Sequence, residues 1–214
     1  MLLYSQMNLL VTELEKEGYE NIRAIRIDVT KPETIQSARD IIQKDQGKLD
    51  ILINNAGISG EWPQTASSVS IENLSQNFEI NFYGPIRVSQ MFIELLKKSD
   101  SPRITNITSG LASLTLQSDP DWTFYNFKAA AYFPSKAALN AYTICLAHEL
   151  KDLGFKVNAI DPGYTKTDFT QHKGTGTVES AASFIIKHTL TDSNGPTGKY
   201  FSNEIHNQTE ESPW

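Results

Sequence analysis

Hydrophobic and polar positions alternate along this chain in blocks of two different periods. Leu3, Met7, Leu10, Val11 and Leu14 recur at helical spacing, and Gly18 stands where a stop is expected. The β-branched run Ile22 to Val29 has strand length. Thr30-Lys31-Pro32-Glu33 follows and reads as a capping box with proline in the first turn. The helix it opens points Ile35, Ala38, Ile41 and Ile42 inward and stops near Gly47. Leu49 to Ile53 is apolar without alternation, which predicts a strand buried on both faces.

Ser70 opens another helix, which Gly84-Pro85 interrupts or kinks and which resumes through Val88, Met91, Phe92, Leu95 and Leu96. Ile104 to Thr108 is a further strand, closed by Ser109-Gly110. A polar and aromatic stretch over 111–127 precedes an Ala-rich helix that begins near Tyr132 and ends at Leu153-Gly154. Phe155 to Asp161 is a strand broken by Pro162-Gly163, Val178 to Thr189 a helix, and 198–202 a last short strand. Strands alternating with helices at these intervals predict one α/β domain over 1–214, with a parallel sheet built from right-handed crossovers. In such sheets ligands sit beyond the carboxyl ends of the strands. The stretches there are Asp28-Val29, Asn54-Asn55-Ala56-Gly57, Ser109-Gly110 and Pro162-Gly163, rich in polar residues and glycine.

Composition narrows the class. With 214 residues, 39% hydrophobic and 21% charged, the chain is an ordinary globular one. A net charge of -6 excludes a general nucleic-acid binder, and no run is apolar enough to span a membrane. The amino terminus lacks a basic n-region, so a secretory signal is not expected and the default address is the cytoplasm. The single cysteine, Cys145, excludes an internal disulfide framework and reads as a buried small hydrophobe. His148 and His172 lack metal-ligand spacing, so no metal site is expected.

The candidate chemistry lies at Tyr132 and Lys136. Four apart on a helix, the phenol and the ammonium project together. A free tyrosine titrates near pH ~10, and a neighbouring cation draws that value toward neutrality. Such a tyrosine is a candidate general acid/base.

Five motifs then stand in one order: Asn54-Asn55-Ala56-Gly57, Asn81 in the middle helix, Ser109 closing Asn106-Ile107-Thr108-Ser109, Tyr132-x-x-x-Lys136, and Pro162-Gly163 followed by Thr167. Together they resemble the short-chain dehydrogenases/reductases, from about residue 3 to the carboxyl terminus. The resemblance implies a Rossmann-like doubly wound sheet, NADP or NAD as cofactor, and a small-molecule carbonyl or alcohol as substrate. It implies that Tyr132 exchanges a proton with the substrate oxygen as hydride moves to or from nicotinamide. Lys136 would lower the tyrosine pKa and hold the nicotinamide ribose, Ser109 would bond the substrate oxygen, and Asn81 would hold a relay water. Asp28 and Val29 would contact adenine. Asn54, Ala56 and Gly57 would line the cofactor, and Pro162, Gly163 and Thr167 would border the nicotinamide.

Ser109 and Tyr132 are 23 positions apart, wider than is usual in that family. The intervening 114–127 segment, with Pro120, Trp122, Phe124, Tyr125 and Phe127, resembles the insertion of the carbonyl-reductase-like branch. Its members are often monomers, because the insertion covers a face that others use to dimerise. Gly195 to Phe201 is similar to that branch too.

One family feature has no counterpart here. The family begins with a strand, a Thr-Gly-x-x-x-Gly-x-Gly turn, a helix and a second strand, and the chain aligns only from the helix after them. The expectation is therefore an N-terminally truncated fold, its first two strands and first helix absent. The glycine turn would offer backbone N–H groups and a helix amino terminus to the pyrophosphate. In the family's strand order the absent strands separate 22–29 from 49–54. Either 22–29 slides over to pair with 49–54, or both keep unpaired edges and uncovered apolar surface. The rival to an active enzyme is a catalytically inactive relative that does not bind the dinucleotide properly.

Overall fold

The computed structural model describes Leu2 to Ile205 and Asn207 to Trp214, with side chains from Leu9 onward. Its elements, in chain order, are α1 (Leu2–Lys16), α2 (Pro32–Gln46), β1 (Ile51–Asn54), α3 (Ile71–Phe78), α4 (Gly84–Leu96), β2 (Arg103–Ile107), α5 (Leu114–Gln117), α6 (Tyr132–Leu150), β3 (Lys156–Asp161), α7 (Val178–Thr189) and β4 (Tyr200–Ser202). The strands form one parallel sheet in the order β1-β2-β3-β4. Register is set by the pairs Leu52 with Ile104, Ile104 with Val157, and Ile160 with Phe201.

Two cores lie on opposite sides of that sheet. On one, Ile35, Val88, Phe92, Leu95, Leu96, Ile104, Leu146 and Val157 join α2, α4 and α6 to the strands. On the other, Ile107, Ile160, Phe184 and Phe201 pack α7 down. The double winding follows from each strand alternating its side chains between the two faces.

Several sequence expectations are met in detail. Val178–Thr189 is helical over the expected residues, capped by Thr177, which accepts from the Ser180 amide at 3.1 Å. Ser70 caps α3 through the Asn73 amide at 3.1 Å. Gly47 ends α2 in the left-handed conformation, its amide donating to Gln43 and Ile42 carbonyls. In the first helix Val11 and Leu14 are partly buried while Leu10 is exposed; the side chains of Leu3 and Met7 lie outside the described residues.

Four expectations are corrected. Residues 22–28 join no strand, and they do not slide onto β1. No capping box opens α2: Lys31 is its N-cap without a side-chain bond, and Thr30 instead donates to Asp28 Oδ1 at 2.7 Å. β1 is not buried on both faces. Ile53 is 41% exposed, because β1 is a sheet edge and, among the described residues, α7 covers only the strands beside it. Cys145 is exposed: it shares the outward stripe of α6 with Ala141 and His148, while Thr143, Leu146 and Ala147 turn inward.

The helix that carries Asn81 is interrupted before Gly84 rather than at it. Glu79–Tyr83 forms one π-helical turn between α3 and α4. Such turns widen the ladder and re-aim the side chains they carry, often at functional sites. Among the described residues no helix is long and apolar enough to cross a membrane.

Candidate active site

The loop after β1 meets the π turn through a ladder of asparagines. Asn73, Asn77 and Asn81, each four residues from the next, face the same way on the helix. Asn73 receives the Glu61 amide at 3.1 Å and donates to its carbonyl at 2.8 Å. Asn81 receives the Ile58 amide at 2.8 Å and donates to the Ile58 carbonyl at 2.9 Å and to Ser135 Oγ at 3.0 Å. Both ends of the Asn81 amide thus hold Ile58, and its nitrogen ties that loop to α6. The i, i+4, i+8 asparagine spacing is visible in the sequence and signals this stripe, although Asn81 alone is singled out there.

The clamp explains two glycines. A Cβ at Gly57 would stand 3.2 Å from Asn81 Oδ1 and 3.4 Å from Lys136 Nζ. At Gly60, whose φ is +74°, a Cβ would fall 2.2 Å from Asn77 Nδ2.

Tyr132 and Lys136 occupy the first turns of α6. That helix starts where it does because Gln64 Oε1 accepts both the Ala131 and Tyr132 amides at 3.0 Å, satisfying donors that a helix amino terminus leaves free. Gln64 is a site-building residue that sequence reasoning passes over; it comes from a loop 68 residues upstream of Tyr132.

Tyr132 is 7% exposed, its ring 5.9 Å from that of Phe169, and the Ser109 hydroxyl faces its phenol. Burial pushes the Tyr132 pKa well up, the Ser109 hydroxyl opposes this, and the charge of Asp161 adds to it. Burial of the phenolate is the largest of these influences, and the Lys136 ammonium is not among them. Lys136, 4% exposed, donates to the Ile107 carbonyl at 2.8 Å, and burial lowers its own pKa to about 8.

The remaining sequence candidates divide into those gathered here and those held elsewhere. Pro162 and Gly163 follow β3, and the Gly163 amide donates to Asp161 at 3.0 Å. Thr167 caps the short turn 168–170, its amide donating to Thr170 Oγ1 at 3.2 Å. Ala56 is exposed at the tip of the loop after β1. Asn54 turns inward: its amide donates to Ser89 Oγ at 3.0 Å and Asn106 Oδ1 at 2.8 Å, and Asn106 donates on to Thr143 at 2.9 Å. Asn54 thus braces β1, β2, α4 and α6. Asp28 and Val29 belong to a separate corner between α2 and α4. The Asp28 Oδ1 accepts the Thr30 amide and hydroxyl, which lowers its pKa, and Val29 packs so tightly on Gly84 that a Cβ there would meet it at 2.8 Å.

The 114–127 insertion is tied to the chain terminus. Thr115 donates to the Trp214 carbonyl from its amide at 3.1 Å and its hydroxyl at 2.9 Å. Trp122, Phe124 and Tyr164 form an edge-on aromatic row beside Gly110.

A nicotinamide dinucleotide fits the Tyr132 end of this arrangement. Lys136 has one hydrogen-bond acceptor for three N–H directions and, among the described residues, no carboxylate partner. It lies beside a glycine that leaves its approach open. A ribose hydroxyl is the kind of acceptor such a buried ammonium lacks. For the pyrophosphate, these 214 residues contain no Thr-Gly-x-x-x-Gly-x-Gly turn.

Comparison with known proteins agrees with this geometry. Residues 3–177 match the short chain dehydrogenase family. The chain is 32% identical to a (+)-neomenthol dehydrogenase of Arabidopsis thaliana, covering 83% of this chain and 76% of that one. It is 30% identical to the salutaridine reductase of Papaver bracteatum, covering 89% and 81%. Among solved structures it resembles an NADPH-bound carbonyl reductase from chicken fatty liver, with TM-score 0.80, 27% identity and coverage of 95% and 82%. The salutaridine reductase of Papaver somniferum superimposes with TM-score 0.76 at 29% identity, over 90% of this chain and 86% of that one. The sheet, the Ser109–Tyr132–Lys136 grouping and these likenesses agree, and the chain belongs to the short-chain dehydrogenase/reductase family of NAD(P)-dependent oxidoreductases.

Proposed function

We propose that this chain interconverts a small-molecule carbonyl and its secondary alcohol, with Tyr132 as general acid and base. The observation that carries the reading is the buried Tyr132 phenol facing the Ser109 hydroxyl one helical turn from the buried Lys136 ammonium. A bound nicotinamide supplies or accepts the hydride. Ser109 donates to the substrate oxygen, where negative charge develops during reduction. Tyr132 gives its proton to that oxygen, and its raised pKa keeps it protonated and ready to give at neutral pH. In the alcohol-oxidising direction the same phenol takes the proton back.

Lys136 and Gly57 would hold the nicotinamide ribose, with Pro162, Gly163 and Thr167 on its other side and Asn54 and Ala56 along the loop after β1. Asp28 and Val29 would contact adenine. Asn81 holds loop 57–61 in place, so its part in a water relay would add to a structural one. The substrate is read as a ketone or secondary alcohol small enough to enter beside Phe169 and the Trp122–Phe124–Tyr164 row. The insertion, tied down by Trp214, supports a monomer, which sedimentation would check.

The test is NADPH-dependent reduction of acetophenone. Tyr132→Phe, folded by circular dichroism, is expected to lower kcat by a factor of at least ~100. A Phe variant within tenfold of wild type refutes the role.

A second reading is favoured by one observation: the chain holds no glycine-rich phosphate turn, while residues 22–28 and Ile53 are left without strand partners or cover. On that reading these 214 residues carry the proton-transfer half of the site without an anchor for the pyrophosphate, and are catalytically silent. Calorimetric titration with NADPH separates the two, since micromolar binding rejects the silent fold.

A further inference from the structure

The deepest acid beside the proposed reaction centre is the residue that ends the strand before Pro162-Gly163. Asp161 ends β3 and is 3% exposed. Its Oδ1 accepts the Gly163 amide at 3.0 Å and its Oδ2 the Ser202 hydroxyl at 2.6 Å, with the Gly110 amide as a third donor. Those donors belong to three separate segments: the loop after β3, strand β4, and the turn that carries Ser109. Tyr200 adds a fourth tie, its hydroxyl donating to the Ser109 carbonyl at 2.7 Å. Ser109 is therefore gripped at its own carbonyl and at the amide of the next residue.

Glu204 closes the group. Its Oε1 accepts the Tyr164 amide at 2.9 Å. A Cβ on Gly110 would stand 3.0 Å from Asp161 Oδ2 and 3.3 Å from Glu204 Oε2, so both carboxyls crowd the same position. The titratable groups that act on or answer to Asp161 are Tyr132 from α6, Tyr200 from β4 and Glu204 beyond β4; no cation among the described residues balances it. Two carboxyls this close in a desolvated place resist double ionisation. Asp161 lies above the usual carboxylate range, chiefly through burial, and burial together with the Asp161 charge moves Glu204 to about 7.

We propose that Asp161 is the positioning residue of this site: it clamps the Ser109–Gly110 turn to the Pro162–Gly163 loop, and its carboxyl and that of Glu204, which meet at Gly110, oppose each other's ionisation behind Tyr132. The part that concerns Tyr132 rests on the reductase reading above; the coupling of the two carboxyls does not. Ionisation of the pair places negative charge behind the phenol, which holds its proton until the substrate oxygen takes it. Asp161 touches no reacting atom and acts through Ser109 and Tyr132.

The experiment has one arm that needs no turnover. Carbon-13 NMR of protein labelled at glutamate carboxyls should show one group with a midpoint near 7 that disappears in Glu204→Gln. In Asp161→Asn that midpoint should fall by at least ~1 pH unit, because the charge opposing ionisation is gone. A midpoint that stays in place overturns the pair. If Asp161→Asn does not fold, Ser202→Ala carries the same readout: a less stabilised Asp161 carboxylate keeps the proton, and Glu204 ionises more easily.

The second arm is the pH profile of acetophenone reduction with NADPH. Asp161→Asn should lower kcat about tenfold with KM within about twofold, the mark of misplaced transition-state donors. Its alkaline limb should also move to lower pH, because the charge that holds the Tyr132 proton is removed. A fall in kcat with the limb unmoved rejects the coupling to Tyr132 and leaves Asp161 a structural residue. If wild type reduces no ketone, the reductase reading fails, and the glutamate titration still decides the carboxyl pair.

Discussion

Replacing Lys136 with methionine should stabilise the protein at neutral pH while disabling the proposed site. The ammonium is 4% exposed, and one hydrogen bond, to the Ile107 carbonyl at 2.8 Å, offsets its burial. Burial lowers its pKa from 10.5 to about 8. A difference of roughly 2.5 pH units is worth about 3 kcal/mol. Because the folded pKa lies below the unfolded one, the unfolded chain binds more protons between about pH 8 and 10.5. The stability tied to this residue is present in full above 10.5 and is lost as the pH falls to about 8.

At pH 7 the full cost of charging a buried amine is carried. Methionine keeps an unbranched apolar stem and removes that cost, but it leaves the Ile107 carbonyl without its donor, a loss of about 1–3 kcal/mol. The net gain expected at pH 7 is about 1 kcal/mol. Urea unfolding of both proteins at pH 7 and pH 10 measures it. The advantage of the variant should shrink as the pH rises and reverse by pH 10, where the wild-type amine is already mostly neutral when folded. A difference between the two proteins that does not change with pH would refute the reasoning. So would a variant less stable than wild type at pH 7 by more than ~1 kcal/mol.

Asn54→Ala removes the donor to Ser89 and Asn106 and leaves a buried acceptor unpaired, so it should cost about 1–3 kcal/mol in urea unfolding. A cost below about 0.5 kcal/mol would mean that the buried array does not brace the sheet. Gly60→Ala places a Cβ at positive φ and 2.2 Å from Asn77, so it should destabilise by more than ~1 kcal/mol and raise amide exchange through 57–61. Unchanged exchange there would show that the asparagine ladder does not hold the loop. Cys145, exposed on α6, should react with one equivalent of a maleimide without denaturant; protection in the native state would contradict its outward placement.

Much of the framework was legible because it is local. Helix spacing and stop signals located α2, α6 and α7, and the β-rich runs located β1 to β4 to within two residues. The motifs also fall at strand ends and on α6, and a parallel sheet brings its strand ends to one side. Where reading failed, a distant partner decided the outcome. Residues 22–29 have strand composition, yet strand structure needs a neighbour to bond, and none stands beside them in the sheet.

Ile53 sits in an apolar run that reads as buried, but burial depends on which strands a helix on the far face happens to cover. Cys145 lies in an apolar helix whose exposed positions include Ala141 and Ile144, so periodicity could not orient it. Tyr132 and Lys136 were adjacent on paper; their pKa values answer instead to desolvation, which is a property of everything packed around them. Asp161 is a strand-end residue in the sequence, and only the approach of β4 and the Ser109 turn gives it its partners. The sequence alone determined most of the helices and the four strands that pair, and which side of the sheet carries the proposed site. Only the tertiary structure decided which groups there are dry, because water is excluded by segments that meet from far apart in the chain.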